Sequence, residues 1–310
     1  MKKLTKLLCA GLLSFGLFYS VGLSVNKNKQ IQEVHATEES EHTPATINQV
    51  TVNGIKPTAS MGVTFEDGLL TILETFYSTD LFIIVDPNVE NVDLTVVVYK
   101  TYVNAIFYNK NGNLTVESYS TINVQQAVVG GNLTIKGTGH FSTYHTAGAL
   151  PIGGRSIIHV GEKFIVEDEA FVGGTVLNTS LRCALSAKSI EINTEEEFKF
   201  GCNTTDPSKG IALAAVLIHD CANVNELANR LIIKRGKVSL SKYYEKDSDY
   251  NVKFGFVAWT SDDSESIGSS NYDTDNILFT GYPLTVSDTD LEVKARRVDF
   301  EKKWWHWRLC

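Results

Sequence analysis

The sequence predicts an all-β fold whose central part is a β-solenoid, a stack of short parallel strands. Two observations predict it. From Thr51 onward, Val, Ile and Thr recur at alternate positions in short runs punctuated by Gly and Asn, the pattern of half-buried strands. The chain also resembles itself. Asp93-Leu94-Thr95-Val96-Val97, Asn113-Leu114-Thr115-Val116-Glu117 and Asn132-Leu133-Thr134-Ile135-Lys136 are copies of one unit, with starts 20 and 19 residues apart. Weaker relatives begin at Lys163, Lys188 and Arg230.

A repeat of about 20 residues suits one course of a solenoid. Within each unit the Leu and the Val or Ile point inward, while Thr and the polar residue after it point out. One course cannot bury its own apolar face, so it stacks on the next, about 4.8 Å away. An antiparallel sandwich also has strands at short spacing. Near-identical units at near-constant spacing fit the solenoid better. Gly112, Gly130, Gly131, Gly137 and Gly139 fall where the chain must change direction, and are expected to supply positive φ at the corners.

One stretch has helical character. Asn223 and Glu226 form a capping box, and Val224, Leu227, Ala228, Leu231 and Ile232 share one helical face. The competing reading makes residues 230–240 a strand pair. A short helix ending near Asn229 and packed on the strands satisfies both.

The N-terminus carries an address. Lys2, Lys3 and Lys6 precede an uncharged apolar run from Leu7 to Leu23, and Val34-His35-Ala36 offers a cleavage site. Residues 1–36 therefore read as a secretory signal peptide, with an uncleaved anchor as the alternative. Cleavage would leave 23 basic and 35 acidic side chains, a net charge of −12. That balance disfavours nucleic acid as a partner. Residues 37–50 begin with the polar stretch TEESEHTPAT and read as a mobile leader. The expected location is secreted or extracellular, at the cell surface or free of it.

The units NGNLTV and GGNLTIKGTGHF follow an opening VTVNGIKPT and a strand VTFEDGLLTIL. Together they resemble bacterial secreted proteins described as carbohydrate-binding domain-containing, found in Gram-positive-type gut bacteria. The resemblance covers roughly residues 50–240 and extends loosely to YNVKFGFVAWTSDD. It implies a right-handed parallel β-helix and an affinity for glycans. It implies no particular binding residue. The courses after Gly139 and the C-terminus depart from the family's tidier pattern.

Several clusters invite chemistry. Glycosidases need two carboxyl groups across a bond. Glu167, Asp168 and Glu169 form one acidic run and Glu195, Glu196 and Glu197 another; a solvated acidic face is the plainer reading. Calcium is a candidate at Asp262, Asp263, Glu265, Asp273, Asp275, Asp288 and Asp290, although their spacing matches no calcium loop. His140, His145, His159 and His219 lack metal-ligand spacing and read as structural. Cys183, Cys202 and Cys221 are each 19 residues apart, so they are expected to stack one course apart, either bridged or as buried thiols. Cys310 is a further disulfide candidate.

The tail holds Trp304, Trp305 and Trp307 beside Lys302, Lys303 and Arg308. It reads as a cap over the last course, or as a contact with membrane or ligand.

The expected organisation is a signal peptide at 1–36, a leader at 37–50, a β-helix at 51–240, a β-rich segment at 241–300 and a tail at 301–310. The expected function is non-catalytic glycan binding, to a cell-wall or host polysaccharide. Tyr99, Tyr102, Tyr108, Tyr119, Tyr144 and the three tail tryptophans are the candidate contacts. A protein-binding adhesin or structural protein is the first alternative, and a polysaccharide lyase or hydrolase the second.

Overall fold

The structure is a computed structural model. It describes residues 41–145, 150–154, 156–176, 181, 183–202, 214–221, 227–242, 254–259, 277–281 and 284–286. The strands are β1 (Thr43–Pro44), β2 (Val50–Val52), β3 (Val63–Glu66), β4 (Leu69–Ile72), β5 (Asp80–Val85), β6 (Val92–Val98) and β7 (Tyr102–Asn109). They continue as β8 (Leu114–Ser118), β9 (Thr121–Val129), β10 (Leu133–Gly137), β11 (His140–His145), β12 (Ser156–Asp168) and β13 (Phe171–Val176). The last are β14 (Cys183–Cys202), β15 (Ala214–Ile218), β16 (Leu231–Lys242), β17 (Phe254–Trp259), β18 (Ile277–Gly281) and β19 (Leu284–Val286). Helix is confined to a 3-10 turn at Ala59–Met61 and one four-residue helix, α1 (Leu227–Arg230), among the described residues. Helix α1 runs directly into β16, which takes Leu231 and Ile232 from the expected helical face, while Asn223, Val224 and Glu226 lie outside the described residues.

The repeated units all fall in one parallel ladder, β4-β6-β8-β10-β12-β14-β16. Its register aligns Leu70, Val96, Val116, Ile135, Val166, Ile192 and Ile233 in one row. A second row holds Leu94, Leu114, Leu133, Phe164, Ile190 and Leu231. Every member of both rows is buried. The alternation drives this: a one-residue slip would turn both rows to water.

A second ladder runs β5-β7-β9-β11-β13 and on into the C-terminal parts of β14 and β16, with Val103, Ile122, Phe141, Val172, Phe198 and Val238 in a buried row. A third takes the later residues of β7 and β9, the first of β12 and β14, then β15 and β17. Its row Phe107, Ala127, Ile158, Leu185 and Val216 is also buried. The long strands β12 and β14, of 13 and 20 residues, each feed more than one ladder. Hence β9, β11, β13, β14 and β12 close a circuit of five parallel pairings. The inward rows merge into one apolar core.

Outside the core, the first residue of each unit explains why it is Asp or Asn. The Asn113 amide N–H donates to Asp93 Oδ1 at 3.2 Å, that of Asn132 to Asn113 Oδ1 at 2.7 Å, and that of Lys163 to Asn132 Oδ1 at 3.1 Å. The side chains thus satisfy backbone donors just before the strands begin. At one end of this series His42 Nδ1 sits 2.7 Å from Asp93 Oδ1.

Antiparallel pairs sit at both ends of the chain's β-region: β2–β5 and β3–β4 early, β16–β19 and β17–β18 late. The β3–β4 hairpin turns on Asp67-Gly68, both at positive φ (45° and 76°), the conformation an Asp-Gly turn favours.

Three expectations need correction. Among the corner glycines only Gly137 has a positive φ (97°). The others are selected by close approach: a Cβ on Gly130 would lie 1.7 Å from Lys110 O, and one on Gly112 1.9 Å from Val92 O. The leader packs within its second half, where β1 pairs with β6 and Ala45 and Val50 are buried. The 19-residue cysteine spacing does not produce a stack. Cys183 and Cys202 are the two ends of β14, and Cys183 aligns with Ser156, its Sγ 3.2 Å from Ser156 Oγ. The period lapses there: steps of 20 and 19 residues from Val96 to Val116 to Ile135 become 31, 26 and 41 on to Val166, Ile192 and Ile233. The side chains of Cys202 and Cys310 lie outside the described residues.

Candidate functional site

Tyr99 follows β6 and Tyr119 follows β8. Val98 aligns with Ser118 in the ladder, so the two tyrosines occupy the same corner on neighbouring rungs. Their rings stack, with centroids 5.2 Å apart and planes 5° from parallel, and both are about half exposed. The Tyr119 hydroxyl donates to Glu117, which also faces Lys136 Nζ at 3.0 Å on the next rung. The bond to Glu117, and the negative charge it carries, push the Tyr119 hydroxyl up to about 12. The same bond first, and the Lys136 hydrogen bond and charge with it, hold the Glu117 carboxyl below the ordinary carboxylate value against the opposing effect of partial burial.

Tyr102 opens β7 on the adjoining ladder, 43% exposed. Its hydroxyl donates to Asn104 Oδ1 at 2.8 Å. Asn104 Oδ1 also accepts from Asn123 Nδ2 at 2.9 Å, and Asn104 Nδ2 donates to Asp80 Oδ1 at 3.3 Å. Two outward rows result. One holds Tyr102, Thr121, His140 and Phe171, the other Asp80, Asn104, Asn123 and Ser142. His140 stacks on Phe171 with centroids 4.9 Å apart. Tyr77 is a further exposed aromatic, its hydroxyl accepting from Asn53 Nδ2 at 3.3 Å.

Of the five candidate tyrosines, the structure stacks Tyr99 on Tyr119 and places Tyr102 at the start of the adjoining ladder, three residues after Tyr99. Tyr108 is half-buried in the third ladder, aligned with Ile84 and Val128, on another face. The Tyr144 side chain lies outside the described residues, as do Trp304, Trp305 and Trp307. Because Tyr99 and Tyr119 cover one face of each other, each offers a ligand its remaining face and its edges.

The carboxylate runs are engaged elsewhere. Asp168 takes a positive φ (60°) at the end of β12 and accepts from the Gly137 N–H at 3.3 Å, so Glu167 and Glu169 flank a turn and do not share a strand face. Glu195 accepts from Arg235 Nη1 at 2.5 Å, and Glu197 lies 3.8 Å from Lys199 Nζ. On the first ladder Glu191 bridges Lys234 and Lys163, and the Lys234 bond holds its carboxyl low against the opposing effect of burial.

His219 is buried, donates Nε2–H to Val160 O at 2.9 Å and stacks on His159, a structural arrangement. The side chain of His145 lies outside the described residues. So do Asp262, Asp263, Glu265, Asp273, Asp275, Asp288 and Asp290. Among the described residues, no group of three or more His, Cys, Asp or Glu is placed to hold a metal ion. Nor is any helix among them long and apolar enough to cross a membrane.

Asp80, Asn104, Asn123 and Phe171 were not among the residues singled out from sequence. A signal for two of them exists. Asn104 follows Asp93 by 11 residues and Asn123 follows Asn113 by 10, so the repeat extends to the second strand of each course. Tyr99 and Tyr119 likewise each lie six residues after Asp93 and Asn113. Compared with known proteins, the chain matches no protein-family model, no curated protein and no solved structure.

Proposed function

We propose that this chain is a secreted, non-catalytic glycan-binding protein whose contact surface lies along the second ladder and its corner. The observation that carries the reading is the hydrogen bond of the exposed Tyr102 to Asn104 in the row Asp80, Asn104, Asn123 and Ser142, with the stacked Tyr99 and Tyr119 at the corner that precedes this ladder. Apolar ring surface receives the C–H faces of sugars, and amides and hydroxyls exchange hydrogen bonds with sugar hydroxyls. In this reading the three ladders wind as a right-handed parallel β-helix, the hand that successive parallel crossovers take in about 98% of cases. The apolar N-terminal run supports export.

A glycan array probed with residues 37–310 tests the reading, beside the Tyr99→Ala/Tyr119→Ala double variant. The expected result is saturable binding to one glycan class, weakened about tenfold or more by the double substitution. A blank array from folded protein overturns it. Exposed tyrosines also suit protein interfaces, so a blank array with tyrosine-dependent binding to cells would point to a protein partner.

A further inference from the structure

We propose that the ligand of this face is an uncharged, unbranched and extended glycan lying along the stack, one sugar residue to each rung. This rests on the glycan-binding reading and names its substrate class.

Spacing is the first argument. The aromatic row presents Tyr102, Thr121, His140 and Phe171 on four successive rungs. Neighbouring strands lie about 4.8 Å apart, close to the advance of one pyranose in an extended, equatorially 1→4-linked chain. A chain laid along the stack therefore meets an equivalent neighbourhood at every residue. A chain laid across it would meet two or three outward side chains of a single strand and then a corner.

Hydrogen-bonding capacity is the second. Beside the aromatic row, the same rungs present Asn104, Asn123, Ser142 and Gly173. Asn104 and Asn123 each direct one amide N–H along the row, to Asp80 and to Asn104. An asparagine carries two such donors, so each has a second for a ligand hydroxyl. Their mutual bonds also hold the amides in place before binding, which lowers the ordering cost. At the fourth rung Gly173 has no side chain and is buried, with the Phe171 ring 3.1 Å from where its Cβ would stand, so the ligand there meets Phe171 alone.

Charge is the third. Asp80 stands at one end of the polar row, and the next ionised group in that row, Lys199, lies beyond Gly173 and 3.8 Å from Glu197. Between them the row is amide, hydroxyl and glycine. A polyanionic glycan would meet a carboxylate at one end and no lysine or arginine in either row across the four rungs, on a chain whose net charge is already −8. A neutral chain has no such penalty.

The test is calorimetric titration of residues 37–310 with cello- and chito-oligosaccharides of two to six residues. Malto-oligosaccharides, whose axial linkages coil the chain, and polygalacturonate are the comparators. Affinity is expected to rise about threefold or more per added residue, the worth of about one hydrogen bond, and to level off near four residues. In the Tyr102→Ala variant, which loses one end of the row, the plateau moves to three residues and the trisaccharide keeps its affinity. Binding independent of length, tighter binding of polygalacturonate or malto-oligosaccharides, or an equal loss at every length in the variant overturns the proposal while leaving glycan binding intact. A glycan array blank for every class, with no heat from any of these series, overturns both.

Discussion

Tyr119 gives up its hydroxyl proton only at the cost of placing a phenolate beside the Glu117 carboxylate. A spectrophotometric titration of the tyrosines is therefore expected to show one delayed to about 12. Glu117→Gln should return that step toward about 10, the ordinary tyrosine value, with the stacked ring otherwise undisturbed. The sign for Glu117 is the reverse. Its carboxyl is held low in the folded chain, so its stabilising effect is present above the unfolded value of 4.5 and is lost as pH falls through the lowered folded value. Lys136, visible in sequence as the next unit's polar residue, lowers the carboxyl by its hydrogen bond and its charge. The largest single cause is the hydrogen bond from Tyr119, two positions along the same chain, which the sequence does not announce.

At the scale of the element, Gly130 decides more than its neighbours. It stands at ordinary φ, where replacing Gly by Ala stabilises a protein by about 0.4–1 kcal/mol through the unfolded chain. The carbonyl of Lys110, 1.7 Å from the added Cβ, reverses the sign. Gly130→Ala is expected to destabilise by about 1–3 kcal/mol, seen as a lower urea midpoint at unchanged slope. Sequence could place this glycine at a corner but not assign its cause. Positive φ is a local property, whereas the obstructing carbonyl belongs to the preceding course. The same limit explains the cysteines. Their spacing matched the period, but β12 and β14 run on through a corner and the insertions after Phe141 stretch each course.

For the whole molecule, each rung is stabilised chiefly by the rungs on either side, so position along the stack should set the cost of a core substitution. Leu133 is fully buried between Leu114 and Phe164, while Leu231 is the last member of the same row among the described residues and 8% exposed. Leu133→Ala is expected to cost about 2–5 kcal/mol and Leu231→Ala distinctly less, compared by urea denaturation of the two variants. Equal costs would mean that the end of the row is covered as fully as its middle.

The sequence by itself determined the strands, their inward faces and the parallel row of repeated units. Alternation and a 19- to 20-residue repeat are written along one dimension, and burying Leu94, Leu114 and Leu133 together leaves little choice of register. Only the tertiary structure decided which side chains share an outer surface. Tyr99, Tyr102 and Tyr119 were candidates on equal terms with Tyr108. What separates them is that the first three border the corner between the first and second ladders, while β7 carries Tyr108 past a register shift after Ala105 into the third. The polar row beside them was overlooked for a related reason. Asn104 and Asn123 are ordinary strand residues until the ladder sets them opposite each other, and the hydrogen bond between their side chains exists only when two courses stack.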